Sequence, residues 1–355
     1  MAKFTGDRGD PDESLKPDIT LFSKNCSLPE KSDIETSFHH MEMFVELKFS
    51  TQSDPFQDLP GGLMKERYTK LGSETRGQGL LYAANQLAYQ HRLFALSLVV
   101  FGKKARFIRW DREGVVASAV IDYSEHPELV VEFFRRFNQL TDEQRGLDPT
   151  ATPATPEETE MFDSAAAKID IKFLKFSVGD QSICPRFKLE VGDPKNPPSY
   201  YIVGGALNYD LGVVGRCTRG YLALDLCTKQ CVFLKDMWRP DVSGVEPEHV
   251  WYEKLIKAQV PHIVKFKHGS DVVPSAPPNH YYGTAAIGSP KTTSLEGAQR
   301  GLTHRLAILF SLPNSKSPLQ GRVHYRLVQP ELCRSLLGFK DSKHLVLIIF
   351  HSLEG

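Results

Sequence analysis

The chain has 355 residues with 43 basic and 43 acidic side chains, so its charge gives no global argument for nucleic-acid binding. An apolar fraction of 41% and a charged fraction of 24% are those of an ordinary globular protein, long enough here for two modest domains. No segment reaches the roughly 18 uninterrupted apolar residues of a membrane span, and the opening MAKFTGDRGD lacks the apolar core of a signal peptide. The expectation is therefore an intracellular protein, cytoplasmic or nuclear, without membrane contact. Six scattered cysteines do not make a disulfide framework. Cys227 and Cys231 lack the second ligand pair that zinc needs.

In chain order, Ile19–Phe22 is a short apolar group introduced by Pro17-Asp18, and Met43–Phe49 reads as a strand. Alternation puts Glu46 and Lys48 on one face of that strand and Val45, Leu47 and Phe49 on the other. Arg76–Gln90 reads as an amphipathic helix, with Leu80, Leu81, Ala84, Leu87 and Ala88 on one stripe and Gln86 and Gln90 on its polar side. Phe94–Phe101, Ala105–Asp111 and Val115–Tyr123 read as an antiparallel meander with short turns. Pro127–Leu140 follows as a helix.

Pro17-Asp18 followed by Glu46-x-Lys48 resembles the core of the PD-(D/E)xK nuclease-like fold. That resemblance implies Mg²⁺ on Asp18 and Glu46, Lys48 steadying the attacked phosphate or water, and Gln86 lent by the following helix. Such chemistry needs two acids on adjacent strands, because a hard cation takes oxygen ligands. The plain alternative is a solvated strand face bearing Glu46 and Lys48. His39-His40 is a poor metal pair, since neighbours on a strand point to opposite faces. Arg106, Arg109 and Arg112 with Phe107 and Trp110 fit a strand beside a core better than a stacking surface for nucleic acid.

At 145–160 the composition shifts to Asp, Thr, Pro and Glu, suggesting a linker or surface excursion. The expected domains are thus 1–144, α/β and possibly nuclease-like; a linker at 145–167; and 168–355. In the last, strands are expected at Ile171–Phe176, Arg186–Val191, Tyr200–Val203, Tyr221–Leu226, Cys231–Leu234, His262–Lys267 and Arg322–Val328. Thr228-Lys229 is a turn, Glu246–Lys257 and Ser342–His351 are helices, and the proline-containing Ser275–Ser294 is an excursion.

Lys235 stands alone after Val232-Phe233-Leu234, as the V-A-I-K lysine does in protein kinases. Gly215-Arg216, with Thr218-Arg219-Gly220, sits where a kinase carries its phosphate-covering loop. By pattern alone, a lysine after an apolar run is usually just a solvated strand end. The segments Gln90-His91-Arg92, Arg109-Trp110-Asp111-Arg112, Thr218-Arg219-Gly220-Tyr221, Phe233-Leu234-Lys235-Asp236 with Trp238-Arg239, and His324-Tyr325-Arg326 resemble, in that order, the fungal-type protein kinase family. The likeness runs from about Val45 to about Leu345.

The resemblance implies an α+β chain whose C-terminal part is a kinase small lobe, an antiparallel sheet plus one main helix. It further implies ATP and Mg²⁺ as cofactors, Lys235 as the phosphate-pairing lysine, and a helix glutamate for which Glu246, Glu248 and Glu253 are near and Glu248 is taken. No H-R-D-x-x-x-x-N-like or D-F-G-like segment follows Lys235. On this reading Ser/Thr phosphotransfer belongs to the complete family. This chain is expected to be inactive or fragmentary, binding a nucleotide and a protein partner over the exposed lobe face. The alternatives are a catalytically dead scaffold and an Mg²⁺-dependent nuclease.

Overall fold

The computed structural model describes residues 2–4, 15–23, 37–60, 64–169, 184–192, 197–275, 295, 297–303, 320–333 and 336–354. The expected strand Ile171–Phe176 and, from residue 276, the expected excursion lie outside them. The fold is mixed α+β, with five α-helices among the described residues. The chain forms two compact units.

The first unit takes Met1–Pro149 together with Leu211–Cys217 and Gly301–Gln320. Its sheet runs β1 (Ala2–Phe4), β2 (Ile19–Phe22), β3 (Met41–Lys48), β6 (Phe94–Phe101), β7 (Lys104–Asp111) and β8 (Gly114–Ala117), with β9 (Ile121–Asp122) also on β7. β4 (Phe56–Asp58) and β5 (Met64–Glu66) form a separate hairpin. β3 and β6 are parallel, because the long helix α1 (Lys70–Tyr89) carries the chain back between them. The remaining pairs, including the expected meander, are antiparallel. Phe44, Tyr82, Ile108 and Trp110 form the core on the α1 face; Met43, Val45 and Leu98 pack on the other with Phe133 and Phe137 of α2 (Pro127–Phe137).

α1 begins a turn and a half before the expected start, where Thr69 Oγ1 accepts from the Gly72 amide. Its buried stripe also differs from the expected one. Leu80 and Leu81 are exposed, while Gly79, Ala83, Gln86 and Leu87 face inward. Gly79 is there because a Cβ would lie 3.1 Å from the Trp110 ring. Gln86 and Gln90 are buried instead of solvated: Gln86 Nε2 donates to the carbonyls of Met41 and Glu42 at 3.0 and 3.2 Å, and Gln90 Nε2 to those of Phe38 and Met41 at 2.6 and 2.9 Å. Carbonyls buried at the start of β3 need donors, and an amide side chain supplies two.

The second unit takes Thr150–Asp210, Thr218–Arg300 and Gly321–Gly355. Its antiparallel sheet has the order β10 (Ala151–Pro153), β11 (Phe187–Val191), β12 (Ser199–Val203), β14 (Arg219–Asp225), β15 (Cys231–Pro240), β17 (Arg322–Gln329), β16 (His268–Asp271), and β13 (Asn208–Tyr209) joins β14. The sheet curls until β16 approaches the end of β11, where Ser270 Oγ donates to the Gly192 carbonyl at 2.9 Å. Leu189, Tyr201, Ala223, Val232 and Leu234 fill the concave side. On the convex side α3 (Pro156–Ala166) covers Ile202 and Leu224 through Phe162, and α4 (Glu248–Lys257) covers β17.

Residues 145–167, expected as a linker, contain β10 and α3. The chain there turns helical because Thr155 and Glu158 form a capping box: Thr155 Oγ1 accepts from the Glu158 amide and Glu158 Oε2 from the Thr155 amide. The strand expected at His262–Lys267 lies further on, at His268–Asp271, fixed by its register with β17. α5 (Ser342–Glu354) starts where expected, its first turn held by Asp341 Oδ1 on the His344 amide at 2.8 Å, and it exposes Val346, Leu347, Ile349 and Phe350.

Candidate nucleotide site

β15 places successive side chains on opposite faces of the second sheet, so Lys235 and Asp236 enter different environments. Lys235 points to the convex side, where its Nζ lies 2.7 Å from Glu248 Oε2 in the first turn of α4. Both side chains keep about a quarter of their surface, 25% for Lys235 and 29% for Glu248, so the pair is held together yet reachable from solvent. Of the three glutamates near in sequence, Glu246 lies before α4 and pairs instead with Lys254 of that helix.

The position of α4 is set by aromatic residues rather than by this ion pair. Tyr325 OH of β17 lies 3.0 Å from both the amide and Nδ1 of His249, and their rings stack. Gln329 Nε2 donates to Tyr252 OH at 3.0 Å, and Tyr252 with Phe266 covers Met237, Tyr325 and Leu327. Gly269 is required at this crossing, because a Cβ would come 2.5 Å from the Cβ of His249 and 2.6 Å from Tyr325 OH. Gly220, directly across the ladder from Lys235, is likewise fixed by packing: a Cβ would sit 2.7 Å from the Phe233 ring.

On the concave side, Asp236 is fully buried between two arginines and a histidine. Arg219 Nη2 and His324 Nε2 lie 3.1 and 3.0 Å from Oδ1, and Arg326 Nε lies 3.0 Å from Oδ2. Arg219, Asp236 and Arg326 are cross-strand neighbours on β14, β15 and β17, so the register itself builds the row. Burial alone would raise the Asp236 carboxyl, but His324, Arg219 and Arg326 outweigh it and hold the group well below the usual carboxylate range. His324 stacks on Trp238 with ring centroids 4.8 Å apart and reaches Gln299 with Nδ1. Arg326 continues to Thr150 and to the Glu190 carbonyl; on the opposite face, that of Lys235, Arg239 holds Asp271 in a bidentate pair at 2.7 and 2.8 Å. The sequence signal for this network was a charged residue at every second position inside apolar strands, as in His324-x-Arg326.

The segment expected to cover phosphates divides. Gly215 and exposed Arg216 belong to the first unit, whereas Thr218, Arg219 and Gly220 belong to the second. The Thr218 amide donates to Asp210 Oδ2, and Arg219 is committed to Asp236.

In the first unit Asp18 immediately precedes β2, and the amide of Leu47, the residue after Glu46, donates to Asp18 Oδ2 at 2.7 Å. Lys48 Nζ donates to Glu46 Oε1 at 2.6 Å, while Glu46 Oε2 is buried without a donor among the described residues. The face of Glu46 is therefore not solvated: its side chain is 4% exposed, and it is Leu47 and Phe49 on the opposite face that are open to water. Burial, reinforced by the Asp18 charge, raises the Glu46 carboxyl despite Lys48. Burial and the same two carboxylates push the Tyr82 hydroxyl up. Gln86 does not join this set, because its amide is anchored at Met41 and Glu42, a full strand turn away.

The arginines of β7 are structural, as expected. Arg106 forks onto Asp54 and Asp58, and Arg109 lies over the Phe94 ring at 3.5 Å. His40 pairs with Ser37 and His39 packs on Tyr89; among the described residues no cluster of three or more His, Cys, Asp or Glu is placed to hold a metal. No helix among them is long and apolar enough to cross a membrane.

A lysine and a helix glutamate joined over one antiparallel sheet are features of the protein kinase class. The chain belongs to the fungal protein kinase family, whose model matches residues 16–355. No curated protein and no solved structure matches it.

Proposed function

We propose that the second unit binds ATP as a kinase small lobe does, with Lys235 pairing the phosphates and Glu248 holding the ammonium in place. The observation that carries this is the 2.7 Å Lys235–Glu248 pair between β15 and α4. The donor set suits the ligand. A partly exposed ammonium can exchange one carboxylate contact for a phosphate, and no side chain stands at Gly220 across from it. Magnesium is different. Asp236, Asp241 and Asp271 are already engaged by Arg219, Arg300 and Arg239, so they do not suit a metal, and no step is assigned to one here. The test is a thermal-shift titration with ATP: the melting point of the parent rises with ligand, as mass action requires, and that of Lys235→Met does not. An equal rise in both would remove Lys235 from the site.

One observation favours a second activity in the first unit. Asp18, just before β2, lies close enough to Glu46 of β3 for its charge to act on that carboxyl, and the unfilled Glu46 Oε2 is the kind of hard oxygen that Mg²⁺ takes, with water and phosphate completing the shell. When bound, the ion would polarise a phosphodiester. Asp18 and Glu46 would hold it and Lys48 would place positive charge beside the attacked group. Incubation of the protein with DNA and Mg²⁺ is expected to give cleavage that Glu46→Ala abolishes; intact DNA under every divalent metal tried would end this reading.

A further inference from the structure

We propose that Tyr82 is a positioning residue of the Asp18–Glu46 site, acting through the backbone that enters β2. The proposal rests on the metal reading of the first unit and lies wholly within that unit. Asp18 stands ahead of the strand: pairing with β3 begins at Ile19 opposite Val45, and Pro17 has no amide with which to extend it. Side chains supply anchors instead. Leu15 packs against the core on the α1 face, and Tyr82 OH donates to the Lys16 carbonyl at 3.2 Å. At the other end of the same stretch, Asp18 Oδ2 accepts from the Leu47 amide at 2.7 Å.

Tyr82 is itself firmly seated. It is 5% exposed, with its ring edge-on to Phe44 of β3 at a centroid distance of 5.5 Å and tilted against Phe38 at 6.3 Å. Alternate residues of β3 share a face, so Phe44 brings the ring to the side of the strand that carries Glu46. The charges of Glu46 and Asp18 both act on the Tyr82 hydroxyl, which places it near the two carboxylates. A buried tyrosine hydroxyl takes some acceptor in any fold. What sets this one apart is where its acceptor lies, two residues before Asp18, whose neighbour Glu46 keeps Oε2 buried without a donor among the described residues. Two carboxylates grip one cation well only when their separation is fixed. Holding the approach to Asp18 before the ion arrives removes an ordering cost from binding, so Tyr82 acts on the ion through Asp18.

The experiment titrates Mn²⁺ into the full chain and reads the bound ion from the loss of the free-ion electron paramagnetic resonance signal, for the parent, Tyr82→Phe, Leu15→Ala and Ile108→Val. Expected is a loss of about tenfold in Mn²⁺ affinity for Tyr82→Phe, the size typical of a residue that orients a metal ligand. Leu15→Ala loosens the same stretch by another route and should weaken binding in the same direction. Ile108→Val thins the same core on β7 and should bind Mn²⁺ as the parent does, which a merely structural role for Tyr82 does not distinguish from Tyr82→Phe. In an Asp18→Ala background Tyr82→Phe should cause no further loss, because the residue it orients is already gone. Parent-like affinity in Tyr82→Phe, an equal loss in Ile108→Val, or an undiminished loss on top of Asp18→Ala would overturn the proposal. Should Tyr82→Phe fail to fold, parent-like affinity in Leu15→Ala overturns it in its place. A parent that binds no Mn²⁺, or a Glu46→Ala variant that binds it equally well, would instead mark the failure of the metal reading and remove the proposal with it.

Discussion

Lys235 and Asp236 are consecutive residues of one strand, and the two faces they occupy show what each charge is for. On the convex face a lysine and a glutamate meet with about a quarter of each side chain in water. On the concave face an aspartate is enclosed by two arginines and a histidine, with no exposure at all. Exposed pairs contribute roughly 0–1 kcal/mol, because solvent already stabilises each charge. A buried charge has no such alternative, and breaking a buried pair costs about 3–5 kcal/mol. The residue that the fold depends on is thus the neighbour of the residue proposed to face the nucleotide. Loss of nucleotide binding and loss of folding should separate cleanly between two adjacent positions.

The largest effect that would break the comparison is at Asp236. Asp236→Ala leaves Arg219, His324 and Arg326 buried around nothing, and a loss of about 3–5 kcal/mol is expected in urea unfolding. A loss under about 1 kcal/mol would mean the network is not the keystone its burial implies. The pH dependence follows from the depressed carboxyl. Its contribution is present above the ordinary carboxylate range and is lost as pH falls through the lower folded value, so the parent should weaken in acid. Glu46 has the opposite sign. Its raised carboxyl favours the protonated folded form, so its penalty appears as pH rises above the ordinary value. Asp236→Asn should flatten the acid limb of the stability curve, and Glu46→Gln should leave that limb in place.

A smaller effect sharpens the account of how the convex face is organised. Tyr325→Phe removes the hydroxyl that holds both the His249 amide and its ring, without changing the stacked shape. A loss of about 1–2 kcal/mol is expected for a buried partner left unpaired. Because Glu248 immediately precedes His249, ATP affinity should fall as well. Unchanged affinity at reduced stability would show that α4 is placed by its apolar contacts alone.

Which parts of this arrangement could be read beforehand depended on what held each part in place. Phe94–Phe101, Lys104–Asp111 and Arg322–Gln329 were legible because two-residue alternation continues through them, and it sends Phe107 and Trp110 into the cores on opposite faces of β7. β16 was not, since Gly269, Ser270 and Asp271 have little strand preference and pair only because β17 presents its ladder to them. α1 was read in part: Ala84, Leu87 and Ala88 of the expected stripe are buried, but Leu80 and Leu81 are not, because the rest of the inner face is built from Gly79, Ala83 and hydrogen-bonded glutamines, which a hydrophobic stripe cannot reveal. The capping box of α3 was written in Thr155-Pro156-Glu157-Glu158, but the same residues count as linker composition. Around the candidate site, Lys235 followed from its strand and Glu248 from its nearness. The split of the glycine segment between the units was beyond local pattern, because the Arg112 side chain that donates to the Gly212 carbonyl lies some hundred positions earlier in the chain.

The smallest predicted effect is the stability change at Lys235, and it is the most discriminating. Lys235→Met keeps the aliphatic stem against the sheet and removes only the ammonium. Glu248 is then left at the start of α4, where it remains hydrated and where the free amides of the first turn favour negative charge. Nothing buried loses a partner, so the stability of the unliganded protein should stay within about 0.5 kcal/mol of the parent while the ATP-induced shift disappears. If instead the variant unfolds as readily as Asp236→Ala, Lys235 is a structural residue. The exposed face would then not be a ligand site, and the difference between the two sides of β15 would be one of degree only.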